Sequence, residues 1–236
     1  DELLELQVHK LSAGLERVLA TNRFYQAKIG RESVPLRDIT DVARLPFTTK
    51  EELLTDQQRN PLYGTNLTFP LASYTRLHQT SGTSGRRLRW LDTPEDWQWN
   101  LDCWDIIYKA VGVSKADRFF FPFSFGPFLG FWAAFEAAAR LGFFCLPGGG
   151  MTTVARLQFM LENQATVVLC TPTYALRMAE VAADEGIDLA SAPPRALILA
   201  GEPGANIPAT RRRIEQAWGA RVFDHSGMTE IGPLGV

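Results

Sequence analysis

The sequence predicts an α/β domain: a parallel sheet with a mixed edge, helices on both of its faces, and a helical N-terminal lead-in. Two observations carry this. From residue 117 onward, short apolar runs alternate with helical patterns, as strand and helix do in βαβ units. The runs are apolar at every position instead of every second one, as in strands buried on both faces.

The elements follow in order. Leu4, Val8, Leu11, Leu15, Val18 and Leu19 fall at helical spacing with charges between them, so residues 1–30 read as an amphipathic helix. Thr48 with Glu51, or Thr49 with Glu52, fits a capping box that starts a second helix. Residues 60–72, rich in Pro, Gly, Asn and Thr, read as a loop. Leu77-His78-Gln79 and Leu88-Arg89-Trp90-Leu91 read as short strands flanking a glycine-rich loop. Thr93-Pro94-Glu95-Asp96 starts a helix, with Trp97, Leu101, Trp104, Tyr108 and Val111 on one face and Gly112 ending it. Strands are expected near 119–121, 143–146, 166–170, 196–200 and 221–224. Helices are expected at 128–141, at 153–163, from Thr171-Pro172, and at 207–218. Residues 1–72 thus form the lead-in and 73–236 the α/β core.

Composition narrows the function. The 236 residues are 46% hydrophobic with net charge -2, enough chain for a sizeable core. That near-neutral balance gives no electrostatic footprint for nucleic acid. Arg211-Arg212-Arg213 reads as a solvated helix face. No apolar run has membrane-spanning length, and Asp1-Glu2-Leu3-Leu4-Glu5 lacks the regions of a secretion signal. Three widely spaced cysteines make neither a disulfide framework nor a zinc site, which points to the cytoplasm.

Three stretches carry chemistry. Thr80-Ser81-Gly82-Thr83-Ser84-Gly85-Arg86-Arg87 combines glycines, hydroxyls and two guanidinium groups. Glycine lets the backbone turn through φ > 0, successive N–H groups form an anion-binding concavity, and Arg matches phosphate geometry. The loop suits a polyphosphate tail, an ordinary surface turn being the alternative; it lacks Walker spacing. The strand at 196–200 runs into Gly201-Glu202-Pro203-Gly204, and the strand at 221–224 into His225-Ser226-Gly227-Met228-Thr229-Glu230. Small residues there admit a flat ring against the backbone, and Glu230 can hold a divalent cation. In parallel sheets, ligands bind at these carboxyl ends.

Together and in this order, the stretches resemble the adenylate-forming enzymes, specifically their phenylacetate–coenzyme A ligase-like branch. The TSGTSGRR loop resembles that family's phosphate loop, LAGEPG its adenine turn, DHSGMTEIGPLG its D-x-Y-G-[LM]-[ST]-E motif, and RLPFTTKEEL its lead-in helix. The resemblance implies ATP-dependent activation of a carboxylic acid, aryl or arylacetic, to acyl-AMP, followed by thioester formation with coenzyme A. It implies that Ser81, Gly82, Thr83, Ser84, Gly85 and Arg86 hold the β- and γ-phosphates. Gly201, Glu202 and Pro203 would line adenine, with Asp224, His225, Ser226, Gly227 and Met228 completing the nucleotide site. Thr229 would contact the α-phosphate region and Glu230 would ligate Mg2+. Phe123, Phe125 and Gly126 would border the acyl pocket, although core packing explains the two phenylalanines equally well.

Departures accompany the resemblance. Arg87 stands where the phosphate loop has Pro, and Ser226 where the family has a Tyr that stacks on adenine, a contact worth about 1 kcal/mol. The family's downstream ribose-binding acid and C-terminal lysine are not in the sequence, so the chain is expected to be an incomplete N-terminal fragment, nearly inactive alone. A non-catalytic module binding nucleotide or a partner through the same fold is the alternative. The expected partners are a small carboxylic acid and coenzyme A, with no nucleic acid or membrane. A homodimer is compatible with the sequence.

Overall fold

The computed structural model of the chain describes residues 2–30, 35–80, 82 and 85–236. They form two compact units, residues 1–94 and 95–236.

In the first unit the expected N-terminal helix is two helices, α1 (Glu2–Thr21) and α2 (Arg23–Lys28). The break is at Asn22, which is buried. Its side chain accepts from the Tyr25 N–H, capping α2, and donates to Asn66 at 2.9 Å. An Asn side chain competes with the helix for backbone partners, which is why the apolar spacing continues while the helix stops. In α3 (Lys50–Arg59) the cap is Thr49 with Glu52, both halves of the box being formed. Strands β1 (Arg76–Gln79) and β2 (Arg89–Asp92) pair antiparallel, flanking the glycine-rich loop as expected.

The second unit is built on five parallel strands: β3 (Arg118–Phe121), β4 (Phe144–Pro147), β5 (Val167–Cys170), β6 (Ala196–Leu199) and β7 (Arg221–Asp224), in the order β4-β3-β5-β6-β7. Successive strand residues point to opposite faces. Phe119, Phe121, Val167, Leu169, Ala196 and Ile198 pack on one face beneath α4 (Pro94–Val111) and α5 (Leu129–Arg140). Phe120, Leu146, Val168, Cys170, Leu197, Leu199 and Val222 pack on the other, beneath α6 (Thr153–Glu162), α7 (Pro172–Asp184) and α8 (Pro208–Trp218). Both faces of the central strands β3, β5 and β6 are covered, so their apolar runs have their physical cause, while the edge strands β4 and β7 leave Phe144 and Arg221 exposed. A short antiparallel ladder, β8 (Ser226–Met228) with β9 (Gly232–Gly235), ends the chain, where the sequence suggested only a loop.

All five strands run the same way, so their carboxyl ends share one edge. The segments after residues 121, 147, 170, 199 and 224 emerge there together.

Candidate functional site

The turn after β6 is fixed by the start of α7. Thr171 caps α7 through the Tyr174 N–H, and Pro172 occupies its first turn. The Glu202 carboxylate accepts from the Thr173 N–H at 2.8 Å and from the Thr173 hydroxyl. A carboxylate at a helix N-terminus satisfies an orphan donor and complements the dipole. Gly201 has φ +94°, which only glycine adopts readily, and a Cβ on Gly204 would lie 2.5 Å from the Pro172 ring. The Glu202 carboxylate is thus committed to α7, which leaves the backbone of 201–203 as the surface of the turn, Gly204 being buried.

After β7, His225 is buried. Its Nδ1 lies 2.7 Å from the Gly235 carbonyl, and its ring centroid is 4.5 Å from that of Trp104. Burial pushes the imidazole below its ordinary range, against the opposing pull of the Gly235 bond and of Asp224. Its contacts make it a strut between α4, β7 and β9. Ser226, Gly227 and Met228 form exposed β8, and Thr229 and Glu230 sit half-buried in the turn that follows. Asp224, the last residue of β7, is also half-buried.

A cavity of about 470 Å³ opens at the same edge, past the ends of β3 and β5. Phe123 and Ser124 line it, with Phe131, Arg156, Thr171, Tyr174 and Arg177 among the other walls. Phe125 is engaged by Phe123, Trp132 and Phe135, and the Gly126 carbonyl accepts from the Trp132 indole N–H at 2.8 Å. Of the expected acyl-pocket residues, Phe123 therefore reaches the cavity, while Phe125 and Gly126 buttress it. The polar walls were not foreseen. Arg156 lies one turn into α6, and Thr171 and Tyr174 were legible only as a helix start. The one sequence signal was position, since Thr171-Pro172 directly follows β5.

In the first unit, Ser81, Thr83 and Ser84 lie outside the described residues. Gly82 and Gly85 both have positive φ, +68° and +81°, and the Gly85 N–H donates to the Gly82 carbonyl at 2.8 Å. Thr80 closes the loop base: its N–H donates to the Leu88 carbonyl and its hydroxyl accepts from the Leu88 N–H at 3.1 Å. Below it, His78 pairs with Asp92 at 2.8 Å, both buried. Arg86 pairs with Glu51 of α3, both side chains being largely exposed.

No family model matches the chain. Curated relatives do, over its whole length. Phenylacetate-coenzyme A ligase of Pseudomonas putida is 29% identical over 243 residues, covering 100% of this chain and 53% of the relative. The enzyme of the same name from Escherichia coli K12 is 28% identical with the same coverage. The chain thus spans about half the length of the curated relatives it matches. Among solved structures, 2-hydroxyisobutyryl-CoA ligase in complex with 2-HIB-AMP and CoA in the thioesterification state superposes with TM-score 0.90 at 28% identity, over 97% of this chain and 50% of that one. Its open conformation gives 0.87 at 27% identity. A luciferase-like enzyme from Zophobas morio, at 17% identity and TM-score 0.53, shares the fold alone. Throughout its length this chain is similar to phenylacetate-coenzyme A ligases, and it has the α/β fold of the adenylate-forming acyl-CoA ligases.

Proposed function

We propose that this chain carries the nucleotide and acid sites of an AMP-forming acid–coenzyme A ligase. The observation that carries the reading is the arrangement at the carboxyl edge. There the turn 201–204, locked to α7, stands beside a cavity of about 470 Å³ lined by Phe123, Ser124 and Thr171. The similarity to ligases crystallised with an acyl-AMP and CoA supports it.

In the reaction, an acid carboxylate attacks the ATP α-phosphorus and pyrophosphate leaves. The coenzyme A thiol then attacks the acyl carbon and AMP leaves. The chain's own contribution is placement. The backbone of 201–203 offers an adenine face, and the walls of the cavity hold the acid. Gly82, Gly85 and Arg86 supply phosphate donors, joined by Ser81, Thr83 and Ser84. For Arg86 this means exchanging Glu51 for phosphate; an exposed ion pair is worth only about 0–1 kcal/mol, so the exchange is cheap. Glu230 would be the protein ligand for magnesium. Among the described residues no group of three metal-ligating side chains occurs, and a lone carboxylate suits Mg2+, which takes most of its ligands from phosphate and water. When bound, the ion offsets phosphate charge. Thr229 would stand beside the α-phosphate. Among the described residues no helix is long and apolar enough to cross a membrane.

The test is calorimetric titration of the chain with ATP and magnesium, and with a non-hydrolysable acyl-sulfamoyl adenosine. Saturable binding of both is expected, the acyl compound at least about tenfold tighter because it fills both subsites. Arg86→Ala should weaken ATP binding about ten- to hundredfold with an unchanged melting temperature. Failure of both ligands to bind would overturn the reading.

A further inference from the structure

The cavity past β3 and β5 has a chemistry that an apolar acyl pocket does not need. Two arginines line it, Arg156 and Arg177, together with hydroxyl groups of Ser124, Thr171, Thr173 and Tyr174. Arg156 is half-buried. Its Nε donates to the Gly148 carbonyl at 2.8 Å and a terminal N–H donates to the Tyr174 hydroxyl at 2.7 Å. Its guanidinium also lies 5.4 Å from the centroid of the Tyr174 ring. Both hydrogen-bond partners are neutral oxygens. Among the described residues no carboxylate pairs with Arg156. Arg177 has one carboxylate contact, Glu180 at 3.8 Å, with both side chains largely exposed. The Glu202 carboxylate is held by the N–H and hydroxyl of Thr173, another residue of the cavity wall.

A partly desolvated guanidinium without a counter-ion is costly, and buried charges are ordinarily paired. Here the fold holds one through Gly148 and Tyr174, in the wall of a cavity that a second arginine also lines. Such an arrangement is suited to receive an oxyanion, which Arg recognises through two parallel N–H donors.

We infer that this cavity binds an oxyanion, with Arg156 and Arg177 as its recognition residues. The inference rests on the ligase reading only for the ligand's source. The oxyanion is either a second carboxylate at the far end of the acid substrate or a phosphate of the thiol cofactor. Phe123 and Phe131, stacked with centroids 4.2 Å apart, form the apolar wall along which the ligand's chain would lie.

The experiment measures dissociation constants on the whole chain for two matched pairs: glutarate against pentanoate, and coenzyme A against 3′-dephospho-coenzyme A. Each pair differs by one anionic group. The wild type should favour the charged member of one pair by about tenfold or more. A glutarate preference assigns the site to the acid, and a coenzyme A preference assigns it to the cofactor. Arg177→Ala, an exposed change that leaves the fold intact, should cut the preference several-fold. Arg156→Lys should retain part of it and Arg156→Gln should abolish it, with melting curves verifying that each variant is folded. Affinities within twofold in both wild-type pairs, or a preference untouched by all three variants, overturn the inference. ATP binding measured on the same samples separates the two proposals. Bound ATP without anion preference sinks only the oxyanion site, whereas anion preference without ATP binding sinks only the ligase reading.

Discussion

The two ends of the five-stranded sheet are made of similar residues and do opposite things. At the amino end, Asp117, Thr166 and Arg195 each stand one residue before a strand, and they satisfy one another. Arg195 donates to Asp117 at 2.8 and 2.6 Å, while Thr166 and the Ser114 N–H donate to the same carboxylate at 2.8 and 2.7 Å. Arg118 there is spent on the Asn163 and Gln164 carbonyls. At the carboxyl end, Arg156 has only neutral oxygens as partners, the turn 201–204 presents backbone, and a cavity stands open. Closed networks rigidify a fold, and open ones are where ligands enter. The strand ends alone do not distinguish the two; the difference is that at the carboxyl end the Arg156 charge is left without a carboxylate partner, whereas at the amino end Arg195 meets Asp117.

The difference can be broken from either side. The largest effect is expected at the sealed end. Burial by itself would raise the Asp117 carboxyl, but hydrogen bonds from Arg195, Ser114 and Thr166, with the Arg195 charge, hold it well below the usual range. Asp117→Asn should cost about 2 kcal/mol, below the roughly 3–5 of a fully buried pair because the Arg195 side chain is 44% exposed. A depressed carboxylate pKa gives stability that is present above the unfolded value, near about 4, and is lost as pH falls through the folded one. The variant should therefore lose less than wild type on acidification below pH about 4, read by urea melts across pH. ATP affinity should not change.

At the open end the expected effect is smaller in stability and larger in binding. Glu202→Ala removes the cap on the Thr173 N–H and should cost about 1 kcal/mol of stability. Because that carboxylate fixes the turn 201–204, ATP affinity should fall as well. A variant that loses stability but binds ATP unchanged would detach the turn from the nucleotide site.

The smallest effect belongs to His225. Its folded pKa lies below the ordinary value near about 6.5, so the unfolded chain takes up the proton first. Stability should therefore be complete above that value and decline as pH falls from it toward the folded pKa. His225→Gln should remove that slope, and NMR titration of the imidazole should report the lowered value directly.

How much of this was legible in the sequence follows from which forces act locally. The capping box at Thr49–Glu52, the stop at Gly112 and the Thr171-Pro172 start were readable because each depends on residues a few positions apart. The three central strands were readable because burial on both faces leaves uniformly apolar runs, and the edge strands β4 and β7 because they repeat the same strand–helix alternation. The break at Asn22 was not, since its side chain is held by Asn66 and Thr68, far along the chain. The β8–β9 ladder was not, because Ser226-Gly227-Met228 and Gly232-Pro233-Leu234-Gly235 have little intrinsic strand preference. At the site, the glycine-bearing turn after β6 was visible as a motif. The commitment of Glu202 to Thr173 and the pairing of Arg156 with Tyr174 were not, because each joins residues 18 to 29 positions apart.

The central claim, that ligand binding belongs to the carboxyl end and structural pairing to the amino end, is tested most directly by amide NMR of the chain titrated with ATP and magnesium. Shifts should concentrate in residues 200–204 and 224–230, with residues 114–118, 163–166 and 194–196 silent. Shifts centred on the Asp117–Arg195 end, or none at saturating ATP, would contradict it.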